Sequence, residues 1–197
     1  MELLKNTKSL VVAALMCAFT CIATMIIQIP TPTLGYIHPG DCLVLLCGVI
    51  LGPVVGPLAA GIGSAMADLL TGYAIYVIPT LVIKGVTAWI AAVVFRKLKA
   101  AWNRNQITVF IVAGILAEIN MVFGYFINKI VKTMFVASSF SQEMFLAGLT
   151  SAVSGIFPNV IQGLAGIVLG VLLLPILSKI PDVHNWMNIE VKPKNLA

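Results

Sequence analysis

The sequence predicts an all-α integral membrane protein: one domain over residues 1–197, with six transmembrane helices and both termini in the cytoplasm. Three observations predict it. Hydrophobic residues make up 60% of the chain and charged residues 10%, against roughly 25% charged in soluble domains. So few polar side chains cannot cover a water-facing surface. The apolar residues also gather in runs near the length of about 20 residues that crosses a hydrocarbon core as a helix. Finally, the basic residues are shared unevenly among the connections. Segments assigned to the inside carry Lys5, Lys8, Arg96, Lys97, Lys99, Arg104, Lys179, Lys192 and Lys194, and outer segments carry only Lys129 and Lys132. This is the positive-inside pattern, so the net charge of +5 reflects topology and does not suggest nucleic-acid binding.

The predicted spans are 10–29, 41–55, 57–72, 76–96, 107–130 and 144–178. Lys5 and Lys8 precede the first, as in a secretory signal, but the run exceeds about 15 residues and lacks an A-x-A-like site. It is read as a retained helix. A Pro/Gly-punctuated loop runs from Pro30 to Gly40, and Gly52-Pro53 to Gly56-Pro57 reads as a tight turn between two short helices. Thr71-Gly72-Tyr73 is a further turn, Arg96 to Gln106 a basic loop, and Lys129 to Glu143 a mixed polar connection. The last run is long enough to hold a break, placed at Pro158.

Small residues recur at helical spacing. Gly56, Ala60, Gly63 and Ala67 form a stripe suited to close packing inside the bundle, and Ala14 and Ala18 lie four apart on the first helix. The second pair is either an internal packing seam or a docking surface for another protein. Cys17, Cys21, Cys42 and Cys47 sit in apolar stretches with no CxxC pair, as small buried hydrophobes do.

Four ionisable residues fall in or beside the apolar runs: Asp41, Asp68, Lys84 and Glu118. Such residues face a protein interior or a wet cavity rather than lipid. Asp41 and Asp68 belong near the outer ends of their helices, Lys84 about two turns inside the outer end of the fourth, and Glu118 near the middle of the fifth. Asp68 and Lys84 lie at similar depth, and the pattern leaves open whether they pair or face a ligand. Glu118, Met121, Tyr125 and Asn128 share one helix face. Asn159 and Gln162 flank Pro158 and suit either interhelical hydrogen bonding or a cavity wall. Tyr36 and His38 stand in the first loop with Asp41, too few donors for a metal site. That loop reads as a mobile cap. No Walker, H-x-x-x-H or G-x-S-x-G motif occurs, so neither an enzyme nor a cofactor is expected, and active uptake would draw on a partner or an ion gradient.

Several stretches resemble a known family. Tyr36-Ile-His-Pro-Gly-Asp41, Leu51-Gly-Pro, Gly61-Ile-Gly-Ser-Ala-Met-Ala-Asp68-Leu-Leu-Thr-Gly-Tyr73 and Pro79-Thr-Leu-Val-Ile-Lys84-Gly85 are similar to substrate-binding S components of energy-coupling factor (ECF) transporters. Glu118-Ile-Asn-Met-Val-Phe-Gly-Tyr125 and Phe157-Pro-Asn-Val-Ile-Gln162 fit the same group. The central block resembles the branch assigned to hydroxymethylpyrimidine and pyridoxine. The resemblance implies an outward-facing vitamin pocket covered by the first loop, in a plasma-membrane protein. It also implies docking through an AxxxA motif, matched by Ala14 and Ala18, on an EcfT-like transmembrane coupling subunit powered by two cytoplasmic ATPases. The expected pocket residues are Tyr36, His38, Asp68, Tyr73, Lys84, Glu118, Tyr125, Asn159 and Gln162. The alternatives are pantothenate or another vitamin as substrate, or a stand-alone proton-coupled secondary transporter.

Overall fold

The computed structural model describes residues 7–31, 35–102, 105–138 and 140–187. Lys5, Arg104, Lys192 and Lys194 of the charge argument lie outside the described residues. Helix α1 spans Thr7–Ile26, α2 Asp41–Leu70, α3 Val77–Ala101, α4 Gln106–Val136, α5 Gln142–Ser154, α6 Ile156–Leu177 and α7 Pro181–Met187. Between α1 and α2, strands β1 (Ile29–Thr31) and β2 (Gly35–Ile37) pair antiparallel, with Pro30 opposite Tyr36. The loop expected as a cap is thus a short hairpin strap.

Helix α2 is two antiparallel arms. Gly52 has φ 82° and ψ −175°, a conformation close to glycine-only, and Pro53 follows it. A Cβ on Gly56 would collide with the Cys47 carbonyl, whereas nine residues along a straight helix span about 14 Å. The chain therefore reverses at Gly52, at the start of the expected turn. The Arg96 guanidinium packs over Gly52 and leaves no room for a side chain there.

The first arm, 41–51, is the central column. Val44, Leu45, Leu46, Cys47 and Val49 are fully buried, as befits a helix that is apolar all round. The second arm, 53–70, packs between α1 and α3. Gly63 abuts the Cys17 carbonyl and Gly61 the Leu81 carbonyl, while on the first arm Gly48 abuts Ala88. The small residues thus serve close helix approach.

Outward faces are apolar. Phe19, Phe123, Leu164 and Leu172 are all more than half exposed, a surface that suits lipid rather than water. Among the described residues, five segments are long and apolar enough to cross a membrane: Thr7–Ile26, Asp41–Leu70, Ala74–Ala101, Gln106–Val136 and Gln142–Leu177. The protein is an all-α membrane protein.

Two expectations are corrected, and one element is added. The last run parts at Gly155, with Pro158 inside the first turn of α6. Proline has no N–H for the carbonyl four residues back, that of Ser154, so the ladder fails one turn ahead of the ring. Helix α4 continues to Val136, which makes Lys129 a buried helical residue instead of a loop residue. The polar C-terminal stretch contains α7, whose Val183, Trp186 and Met187 are buried against the core. Asp182 pairs with Lys8 at 2.6 Å, and Arg96 Nη2 donates to the Trp186 carbonyl at 3.4 Å.

Candidate substrate-binding site

A cavity lies beneath the strap where α1, the second arm of α2, α3, α4 and α6 meet. All four tyrosines of the chain reach it: Tyr36 from β2, Tyr73 and Tyr76 from the α2–α3 connection, and Tyr125 from α4. The Tyr36 ring lies 4.7 Å from Tyr73 and 5.4 Å from His38, and Tyr73 lies 6.4 Å from Tyr76. These tilted rings present both faces and edges to a guest. The free lumen is about 50 Å³, enough for a few waters.

The strap is fastened at two points. Tyr36 Oη donates to Asp68 Oδ1 at 2.6 Å, and the His38 backbone N–H donates to Gln162 Oε1 at 3.2 Å. Burial, and then the bond to Asp68, push the Tyr36 phenol well up from its ordinary range. Burial pushes the His38 imidazole down to about 4, so it is neutral near pH 7. Its Nδ1 accepts from the Gly40 N–H at 3.1 Å, as a neutral ring can.

Under the strap runs a buried polar chain. Gln162 Nε2 donates to Asp41 Oδ2 at 2.8 Å, and Asp41 Oδ1 takes the ammonium of Lys84. Both charged side chains are fully buried. Lys84 also stands 5.4 Å from the Tyr125 ring centroid, within cation–π range. Tyr125 Oη and Thr80 Oγ1 are 3.1 Å apart. One network therefore joins the strap to α2, α3, α4 and α6. It can position ring-bound donors and acceptors, with Asp68, Thr80, Asn159 and Lys129 on the cavity wall.

Seven of the nine expected residues line this cavity: Tyr36, His38, Asp68, Tyr73, Tyr125, Asn159 and Gln162. Lys84 sits behind the wall and pairs with Asp41, not with Asp68. Glu118 shares a helix face with Tyr125 but lies about 10 Å further along the axis. It packs on Gly163 and faces a neighbouring apolar cleft between α4 and α6, with neither carboxyl oxygen hydrogen-bonded. The structure adds Thr24, Thr31, Tyr76, Thr80, Lys129 and Pro158 to the lining. Tyr76 and Thr80, one helical turn apart, were legible as a face. Lys129 was legible as the residue one turn beyond Tyr125, had α4 been read at its full length.

Ala14 and Ala18 are exposed on the outer side of α1, away from the face formed by Ser9, Ala13, Met16, Thr20 and Thr24. They are absent from the internal packing seam.

Residues 4–179 match the profile of the family described as ECF-type riboflavin transporter, S component. A protein of Pyrococcus woesei, described as an uncharacterized protein in gap 3' region, is 33% identical over 163 residues, covering 80% of this chain and 93% of that protein. S components are substrate-binding subunits of vitamin uptake systems that work with a transmembrane coupling subunit and ATPases, and they are not enzymes. This multi-pass plasma-membrane protein belongs to the ECF-type riboflavin transporter S component family.

Proposed function

We propose that this S component captures a single-ring hydroxymethylated heterocycle, hydroxymethylpyrimidine or pyridoxine, in the cavity beneath the strap. The observation that carries the reading is the meeting of all four tyrosines at one polar-walled cavity. Aromatic walls suit a flat ring, and a few fixed polar groups suit its substituents. Tyr36, His38, Asp68, Tyr73, Tyr125, Asn159 and Gln162 contact the ligand, and Lys84 acts from behind by holding Asp41 and Gln162 in place. A lumen of about 50 Å³ has to open least for one ring. The ring-walled lining argues against pantothenate, which has no ring.

Riboflavin is the second reading, favoured by the description of the family whose profile spans residues 4–179. Calorimetric titration of the purified chain with hydroxymethylpyrimidine, pyridoxine and riboflavin separates the two. Tighter binding of a single-ring compound, by about tenfold or 1.4 kcal/mol, is expected. A preference for riboflavin would overturn the single-ring assignment.

The same reading has six membrane passes, with each α2 arm crossing or entering once and both ends in the cytoplasm. A cysteine replacing Phe140, which is 81% exposed, should then react with an impermeant thiol reagent added outside cells. One replacing Trp102 should not. Outside labelling of position 102 would contradict the topology.

A further inference from the structure

Helix α1 contributes two threonines to its inward face, and they differ. Thr20 Oγ1 donates to the Met16 carbonyl at 2.8 Å and lies 3.6 Å from Cys47 Sγ, so its hydroxyl is satisfied locally. Thr24 stands one turn further on and is 1% exposed. The same backward bond, to the Thr20 carbonyl, is open to it in principle, yet its Oγ1 is buried without a hydrogen-bond partner. An unpaired buried hydroxyl is costly, and native structures rarely keep one without a reason.

The surroundings supply a reason. Thr24 is the residue through which α1 reaches the tyrosine-walled cavity, among the described residues. Its hydroxyl packs beside Gly40, where any side chain would collide with Thr24 Oγ1 and with the His38 ring. Glycine at position 40 thus lets the strap close directly over that hydroxyl at the cavity's edge. We infer that Thr24 Oγ1 hydrogen-bonds the substrate and selects a ligand bearing a hydroxyl, amine or ring-nitrogen partner at the α1 side of the cavity. This rests on the reading of the cavity as the vitamin site. The ligand then touches the same helix that carries Ala14 and Ala18 on its opposite, exposed side.

The test compares Thr24→Val, which keeps the shape and removes the hydroxyl, with Thr24→Ser, which keeps the hydroxyl. Each purified variant is titrated with the vitamin that wild type binds, and thermal melting reports folding. Thr24→Val should bind about tenfold more weakly and Thr24→Ser within about twofold of wild type. Equal affinity for wild type and Thr24→Val would overturn the inference. So would equal losses in Val and Ser variants, which point to packing. If Thr24→Val fails to fold, Thr24→Ala takes its place, and failure of both would make the hydroxyl structural and the inference wrong. Failure of wild type to bind any of the three vitamins would instead sink the reading of the cavity.

Discussion

Lys84→Met should destabilise the protein by roughly 3–5 kcal/mol, because it leaves the fully buried Asp41 carboxylate without its counter-charge. Methionine fills nearly the same volume, so the loss comes from charge and hydrogen bonding rather than from a cavity. The companion Asp41→Leu, Lys84→Met double variant removes both charges and should recover most of that stability, since two apolar groups replace a costly desolvated pair. It should still bind substrate poorly. Gln162 loses the acceptor that orients it, and Gln162 in turn receives the strap through the His38 N–H. Thermal melting in detergent checks the first claim and ligand titration the second. A Lys84→Met protein that melts like wild type would show that the ion pair is not what holds α2, α3 and α6 together.

Ala14→Trp and Ala18→Trp should each abolish vitamin uptake while leaving binding by the purified chain unchanged. Both alanines lie on the exposed side of α1, and the cavity is reached from the other side. A bulky group there blocks the close helix approach that small residues permit. Uptake is measured in cells that express the coupling subunit and ATPases, and binding by calorimetry. Normal uptake in both variants would move the docking surface elsewhere. Uptake by wild type without those partners would favour the stand-alone transporter instead.

Much of this architecture was legible because membrane helices announce themselves by length and by polar breaks. Gly52-Pro53 declared the reversal within α2, since a glycine before a proline between two apolar runs has few other uses. Asp68 and Asn159 stood out as polar groups within apolar runs, and Tyr36 and Tyr73 as aromatic residues of the first loop and of the turn after Thr71. Other features were illegible for definite reasons. Residue count along a helix gives depth but not which neighbour a side chain faces, so Lys84 appeared a fit partner for Asp68 while its ammonium reaches Asp41. Glu118 shows the converse. It shares the face of Tyr125, yet its depth puts it against Gly163 and outside the cavity. The break before α6 was assigned to the proline itself, although the carbonyl that its ring cannot pair sits a turn earlier. Helix α7 is short, and the core that buries its Val183, Trp186 and Met187 is built from residues distant in sequence. Thr24 gave no signal, because a threonine facing inward from an apolar helix ordinarily bonds its own backbone, as Thr20 does.

The central claim is that the tyrosine-walled cavity under the strap holds the vitamin, and native mass spectrometry tests it most directly. Wild-type protein saturated with a mixture of hydroxymethylpyrimidine, pyridoxine and riboflavin, then freed of excess, should carry one vitamin per chain. A Tyr73→Ala, Asn159→Ala double variant that melts like wild type should carry none, because it loses both a ring wall and a polar anchor of the cavity. A vitamin adduct that persists undiminished on the double variant would place the binding site elsewhere and contradict the account.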